Sequence, residues 1–353
     1  MRARLTVDLD ALAQNYAILR KVAEGTEVAG VVKADAYGMG LAPVARRLRA
    51  EGCRTFFVAG LDEGLALRGV LGPGPAIHVL DGVIDADEAE TCLAGELTPV
   101  LNSLAMVEVW TDAGLGAPAT LQIDTGMRRL GLAVEDLDPM QDPPFPLALI
   151  MSHLACASDP ESPMNGAQAQ AFVQAVARLP GAPLSLAASA GTFLGPAFRF
   201  DMVRGGIALY GGAPFDAAVV PLAPVATLEA PLLTVFDVGP GDTVGYGATW
   251  QADRRRRLAT VALGYADGFL RSGSNRGFAA VEGAICPIVG RVSMDLITLD
   301  VTEAGRAARP GVMAQFLGPQ APLDAQAAAA GTIGYELLTR IGPRVQRRYD
   351  GDA

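Results

Sequence analysis

Along the first two-thirds of the chain, short apolar runs alternate with longer stretches whose apolar positions recur at helical spacing. The runs at 28–32, 55–59, 76–80, 97–101, 119–124, 147–152, 184–188 and 203–209 read as strands. Between them, 10–24, 42–51, 62–71, 85–94, 103–113 and 165–179 read as helices, several opening on Asp, Ser or Asn where an N-cap belongs. Eight strands alternating with helices predict an α/β fold, a (β/α)8 TIM barrel. A doubly wound sheet is the competing arrangement, but no GxGxxG follows the first strand.

After Gly212 the pattern changes. Pro214, Pro221, Pro224 and Pro231 fall close together, and short strands with turn signals follow at 232–238, 243–246, 258–264, 278–281, 285–289, 292–301 and 312–317. Helical periodicity returns only at 324–330 and 334–340. The expected division is a barrel over 1–221 and a mostly β C-terminal domain over 222–353. Residues 4–8 are strand-like too and could pair with the second domain.

Composition narrows the function. The chain has 353 residues, half of them hydrophobic, which is enough for about two domains. No apolar run approaches the ~18 residues of a membrane span, and residues 1–10 carry acids rather than a signal segment, so a cytoplasmic protein is expected. A net charge of −10 argues against a nucleic-acid partner, and the arginine run at 254–257 reads as a solvated turn. Cys53, Cys92, Cys156 and Cys286 form no paired motif, and only His78 and His153 are present, so no metal site is expected.

One stretch then stands out, GVVKADAYGMG at 30–40, an apolar run delivering Lys33 to a glycine-punctuated loop. Of 28 basic residues only Lys21 and Lys33 are lysines. A lysine shielded from water can act as a nucleophile, which arginine cannot; a lysine past a strand end also commonly reaches solvent along its stem. Taken singly, the other unusual polar residues have structural readings as well. His153 reads as a satisfied core histidine, Ser189 as a helix cap, Gly205 and Gly206 as close packing, Arg128 and Arg129 as a solvated pair. Their common position decides between the readings. All fall at or near the carboxyl ends of expected strands, the face where barrel enzymes hold their active sites. Ser189 with the Gly205–Gly206 amides suits a phosphate, and a lysine with a phosphate cradle points to pyridoxal 5′-phosphate (PLP).

VVKADAYGMG, DTGMRRLG, SHLACAS, SAGTFLG and RGGIALYG resemble the barrel half of the alanine racemase family, and VGYGATW, GYADG, GRVSMD and the closing Arg348–Tyr349 pair resemble its second half. The resemblance runs nearly end to end. It implies that Lys33 carries PLP and is the base on the D-alanine side, while Tyr246 is the opposite base, reaching the site from the other subunit of a homodimer. It further implies that Tyr37, Ser189, Gly206, Ile207 and Tyr349 contact the phosphate. By the same resemblance Arg204 donates to the pyridine nitrogen, His153 supports the ring and the second base, and Arg129 and the partner's Met294 contact the substrate. Two bases are what the reaction demands, because a proton must leave one face of the α-carbon and return to the other.

Many relatives carry a carbamylated lysine where this chain has Gln122, which is expected to imitate that group toward Arg129 without its charge. Ala188 and Ser293 replace an asparagine and a cysteine of some relatives. The implied activity is interconversion of L- and D-alanine, supplying D-alanine for peptidoglycan. A broader-specificity racemase and a non-enzymatic PLP carrier are the alternatives; the second domain with Tyr246 argues against the carrier.

Overall fold

The computed structural model describes residues 3–215 and 220–352. Strand β1 (Arg4–Asp8) comes first and leads directly into helix Leu9–Val22, whose first turn Asp8 caps by accepting from Ala11 N–H at 2.8 Å. Then come β2 (Glu27–Val31), β3 (Thr55–Val58), β4 (Ala76–Val79), β5 (Thr98–Leu101), β6 (Ala119–Gln122), β7 (Leu147–Met151), β8 (Leu184–Ser185) and β9 (Met202–Gly205). These eight are parallel neighbours in the order β8-β7-β6-β5-β4-β3-β2-β9. A bridge between Ala188 and Arg204 joins the two ends, so the sheet is a nearly closed barrel, as the alternating pattern predicts.

The strands carry buried side chains on both faces, Phe56, Phe57, Val58, Ile77, Val79, Val100, Leu101, Leu121, Ile150 and Met151 among them, and Phe57, whose ring stacks on His78 at 4.7 Å, faces the barrel interior. Three polar side chains share this interior. His78 Nδ1 lies 2.8 Å from Thr120 Oγ1, and Arg204 sits above them, also buried. Burial, with Arg204 adding to it, lowers the His78 pKa to about 4, so the imidazole is neutral at neutral pH.

The second sheet is built around β10 (Ala226–Val238), which pairs antiparallel with β1, with Arg256–Val261 and with Met313–Leu317. The anticipated partnership of residues 4–8 with this half is therefore present. On its other edge β1 runs parallel to Gln346–Asp350, so both ends of the chain are woven into the C-terminal sheet.

Several expected strands are shorter than the pattern suggests. The run at 203–209 is a strand only to Gly205; at Gly206 the chain turns into a 3-10 helix, Ile207–Tyr210. The run at 243–246 ends at Val244, because Gly245 and Gly247 both adopt positive φ and carry Tyr246 on a turn. Of 292–301 only Ile297–Asp300 pairs; the preceding residues form a loop that folds against the turn at Gly264, where Met294 O lies too close for any side chain.

Candidate active site

Lys33 comes just after β2, one residue beyond it, and the chain then enters a rare conformation. Ala34, Asp35, Ala36 and Tyr37 have φ of 54°, 53°, 54° and 57°, a full left-handed turn without a glycine. Such a conformation costs roughly 1–2 kcal/mol per residue, so the surroundings must hold it. Asp35 Oδ1 accepts from Leu41 N–H (2.7 Å), and Glu63 Oε1 accepts from Ala34 N–H (2.7 Å). The turn swings Tyr37 inward, where its ring stacks on Tyr210 at 4.6 Å between centroids.

Lys33 faces a cavity of about 550 Å³ at the carboxyl ends of the barrel strands. Of the residues expected there, Lys33, Tyr37, Arg129, His153, Ser189, Arg204, Gly206 and Ile207 all line it. Burial and the charge of Arg129 lower the Lys33 pKa, while Asp81 and Glu63 oppose them. The amine is thus moved toward the free base that a nucleophile requires.

Arg204 organises the floor. Nη1 donates to Ser185 O (3.0 Å) and Ser185 Oγ (2.6 Å); Nη2 donates to Ser152 O (2.7 Å) and Leu186 O (3.2 Å). Nη2 also lies 3.2 Å from His153 Nδ1. An arginine only donates, so Nδ1 accepts and the neutral imidazole carries its proton on Nε2. Burial and the nearby cations Arg204, Arg129 and Lys33 hold the His153 pKa down at about 3, which keeps that tautomer in place. Burial lowers Arg204 itself to about 10, so it stays cationic at neutral pH. Its Nε has no acceptor among the described residues, leaving one N–H for a ligand in the cavity.

On the opposite wall Ser189 Oγ accepts from Gly206 N–H (2.9 Å) and Ala208 N–H (3.2 Å), and Ile207 N–H has no acceptor among the described residues. A Cβ at Gly206 would stand 2.6 Å from the Tyr37 hydroxyl and 3.8 Å from Ser189 Oγ, so glycine leaves an oxygen-sized cradle between these groups.

Three expected residues lie elsewhere in the chain. Tyr246 and Met294 are 71% and 53% exposed, on neighbouring loops of the C-terminal domain, and neither lines the cavity. Tyr349 packs its hydroxyl on Gly40, outside the cavity. The tyrosine of the C-terminal domain that does line the cavity is Tyr335, on helix Gly334–Thr339, together with Thr339. Its ring is tilted against Tyr37 at 5.9 Å, and burial raises its pKa to about 12. The sequence reading missed it because an apolar helix offers no polar signature; the only pointer was a tyrosine on a short helix near the chain end.

Gln122 is buried on the cavity wall, but its amide donates to Leu130 O (2.9 Å) rather than to Arg129. Its part is to fix the loop carrying Arg129. That loop is also pinned by Asp124 Oδ1, which accepts from Gly126 and Arg128 N–H.

Residues 7–214 match the profile described as alanine racemase, N-terminal domain, and residues 225–349 that of the C-terminal domain. A relative named alanine racemase from Rhodospirillum rubrum is 47% identical, the alignment covering 99% of this chain and 96% of the relative. A Mesorhizobium japonicum relative named alanine racemase, catabolic, is 44% identical over 99% of this chain and 93% of its own. Among solved structures, alanine racemase from Bartonella henselae with covalently bound pyridoxal phosphate superposes with a TM-score of 0.94 at 37% identity, covering 99% of this chain and all of that one. The biosynthetic alanine racemase of Pseudomonas aeruginosa gives 0.95 at 35% identity over the same shares. With both halves matched and the relatives aligned nearly end to end, the chain belongs to the alanine racemase family.

Proposed function

We propose that this protein interconverts L- and D-alanine by a two-base mechanism, with PLP held on Lys33 and the second base, Tyr246, supplied by another copy of the chain. One observation carries the reading: Lys33 sits inside a lined cavity while Tyr246 stands exposed on a glycine-flanked turn of the other domain. A residue so placed has its natural target outside its own subunit.

The cavity fits the cofactor by its own chemistry. Lys33 offers the amine, the Arg204 Nε–H offers a single donor, and the Ser189–Gly206–Ile207 wall with the Tyr37 hydroxyl offers room and donors for phosphate oxygens. When bound, PLP supplies an electron-withdrawing ring system that acidifies the amino-acid α-carbon.

The residues of the chain do the rest. Arg204 stays charged and donates only, so a ring nitrogen facing it remains unprotonated. His153 presents its Nε2–H to an anionic oxygen nearby. Arg129 and Arg204 give the cavity two guanidiniums, which favour a substrate carboxylate and an anionic oxygen brought by a partner. Lys33 exchanges the proton on one face of the α-carbon and Tyr246 on the other; the partner's Met294, next to that tyrosine, bounds the substrate. Tyr335 takes a place beside Tyr37 over the phosphate wall, where Tyr349 was expected.

On this reading the protein is a homodimer with shared sites. In the cell it would supply D-alanine for peptidoglycan from the cytoplasm; no helix among the described residues is long and apolar enough to cross a membrane. The direct test is chemical. Protein loaded with PLP should be yellow, borohydride should fix the cofactor to the Lys33 peptide by mass, and L-alanine should become D-alanine. A colourless protein that converts neither enantiomer would refute the reading.

A further inference from the structure

The left-handed turn after Lys33 contains no glycine, so something outside it must hold it. One carboxylate does so from a neighbouring element. Helix Leu61–Leu71 begins after Gly60, which has no side chain to cap it, and Glu63 in its first turn reaches backwards instead. Glu63 Oε1 accepts from Ala34 N–H (2.7 Å) and Oε2 accepts from Ala59 N–H (2.8 Å). Ala34 is the first residue after Lys33, and Ala59 is the first residue after β3. Both oxygens of a single carboxylate thus tie the backbone at the lysine to the end of the adjacent barrel strand. Charge-assisted bonds of this length are among the stronger ones a backbone amide makes.

We propose that Glu63 is a positioning residue that fixes the Lys33 amine in the cavity by holding the amide that follows it. This inference rests on Lys33 being the reactive amine of the proposed function. Glu63 is not among the residues lining the cavity, so it acts on the site through the residues it holds, Ala34 next to Lys33 and Ala59 at the end of β3, both of which line it. Besides Glu63, whose charge also acts on the amine, the charged and titratable groups around Lys33 are Arg129, Arg204, His153 and Asp81 on the cavity wall. None of these holds the Ala34 amide.

The test compares the PLP-loaded protein with its Glu63→Ala and Glu63→Gln variants. Glutamine keeps the length and one acceptor oxygen, so it can hold one of the two amides but not both. Hydrogen–deuterium exchange over residues 33–41 reads the tie directly, and kcat and KM for alanine read its consequence. Glu63→Ala should exchange at least tenfold faster in that segment and lose roughly 10- to 100-fold in kcat, with KM within about threefold, as expected for a misplaced reacting group. Glu63→Gln should fall between it and the unaltered protein. Exchange at the unaltered rate, or unaltered kcat, in both variants would overturn the inference. Should the alanine variant fail to fold, the glutamine variant alone decides by the same two readings. Failure of the underlying reading would show separately, as an unaltered protein that does not racemise alanine.

Discussion

Gly206 shows how much one missing side chain can decide. A Cβ there would stand 2.6 Å from the Tyr37 hydroxyl. Gly206→Ala should therefore bind PLP at least tenfold more weakly, as measured by titrating absorbance against added cofactor; unchanged affinity would remove Gly206 from the cradle. His78 offers a test of a different kind. It is buried neutral with a pKa lowered to about 4 from an ordinary value near 6.5. Above pH 6.5 neither folded nor unfolded chain carries the charge. Between 6.5 and 4 the unfolded chain takes up a proton that the folded one refuses, so stability falls as the pH drops through that window. The loss attributable to His78 is on the order of 3 kcal/mol. Denaturant melts from pH 7.5 to 4.5 should show the decline, and His78→Gln, which can still bond Thr120, should make it shallower, leaving the share that His153, lowered to about 3, contributes over the same window.

At the scale of elements, what the sequence made legible was whatever leaves an apolar period or a glycine signature. The barrel strands and their helices follow from the first, and the placement of Lys33, Ser189 and Arg204 on one rim follows from the second. Three features left no such trace. Gln346–Asp350 pairs with β1 although four of its five side chains are polar, because its partner strand rather than its own pattern defines it. The left-handed turn at Ala34–Tyr37 is held by Glu63 and Asp35, contacts that no local propensity encodes. Tyr335 enters the cavity only because helix Gly334–Thr339 docks against the turn after Lys33.

The loops carrying Tyr246 and Met294 are tied together in a similar way. Asn275 Nδ2 donates to Thr249 Oγ1 (3.2 Å) beside the tyrosine turn, and its Oδ1 accepts from Gly290 N–H (2.6 Å) at the start of the methionine loop. Asn275→Ala should loosen both loops at once and lower kcat by roughly tenfold with little change in cofactor affinity. Steady-state kinetics beside the absorbance titration would check this; equal losses in both would mean a general structural defect instead.

The whole molecule divides its chemistry between two halves that each lack something. The barrel holds a cavity lined by an amine, two arginines and the Ser189–Gly206 wall, and Tyr246 is not among the described residues that line it. The C-terminal domain carries Tyr246 and Met294 on exposed loops, and neither lines the cavity that holds Lys33. On the proposed reading, symmetric pairing, each copy presenting its loops to the other's barrel, would complete both sites together, and such two-fold pairing is the commonest form of homodimer.

The most direct measurement mixes two inactive variants, Lys33→Ala and Tyr246→Phe, after unfolding and refolding them together. A dimer formed from one of each carries one site with an intact Lys33 facing an intact Tyr246. Shared sites therefore predict recovery to roughly a quarter of the unaltered activity, since random pairing makes half the dimers mixed and each of those holds one complete site. If each chain supplied its own Tyr246, every site in the mixture would lack one base, and no recovery above the separate variants would contradict the account.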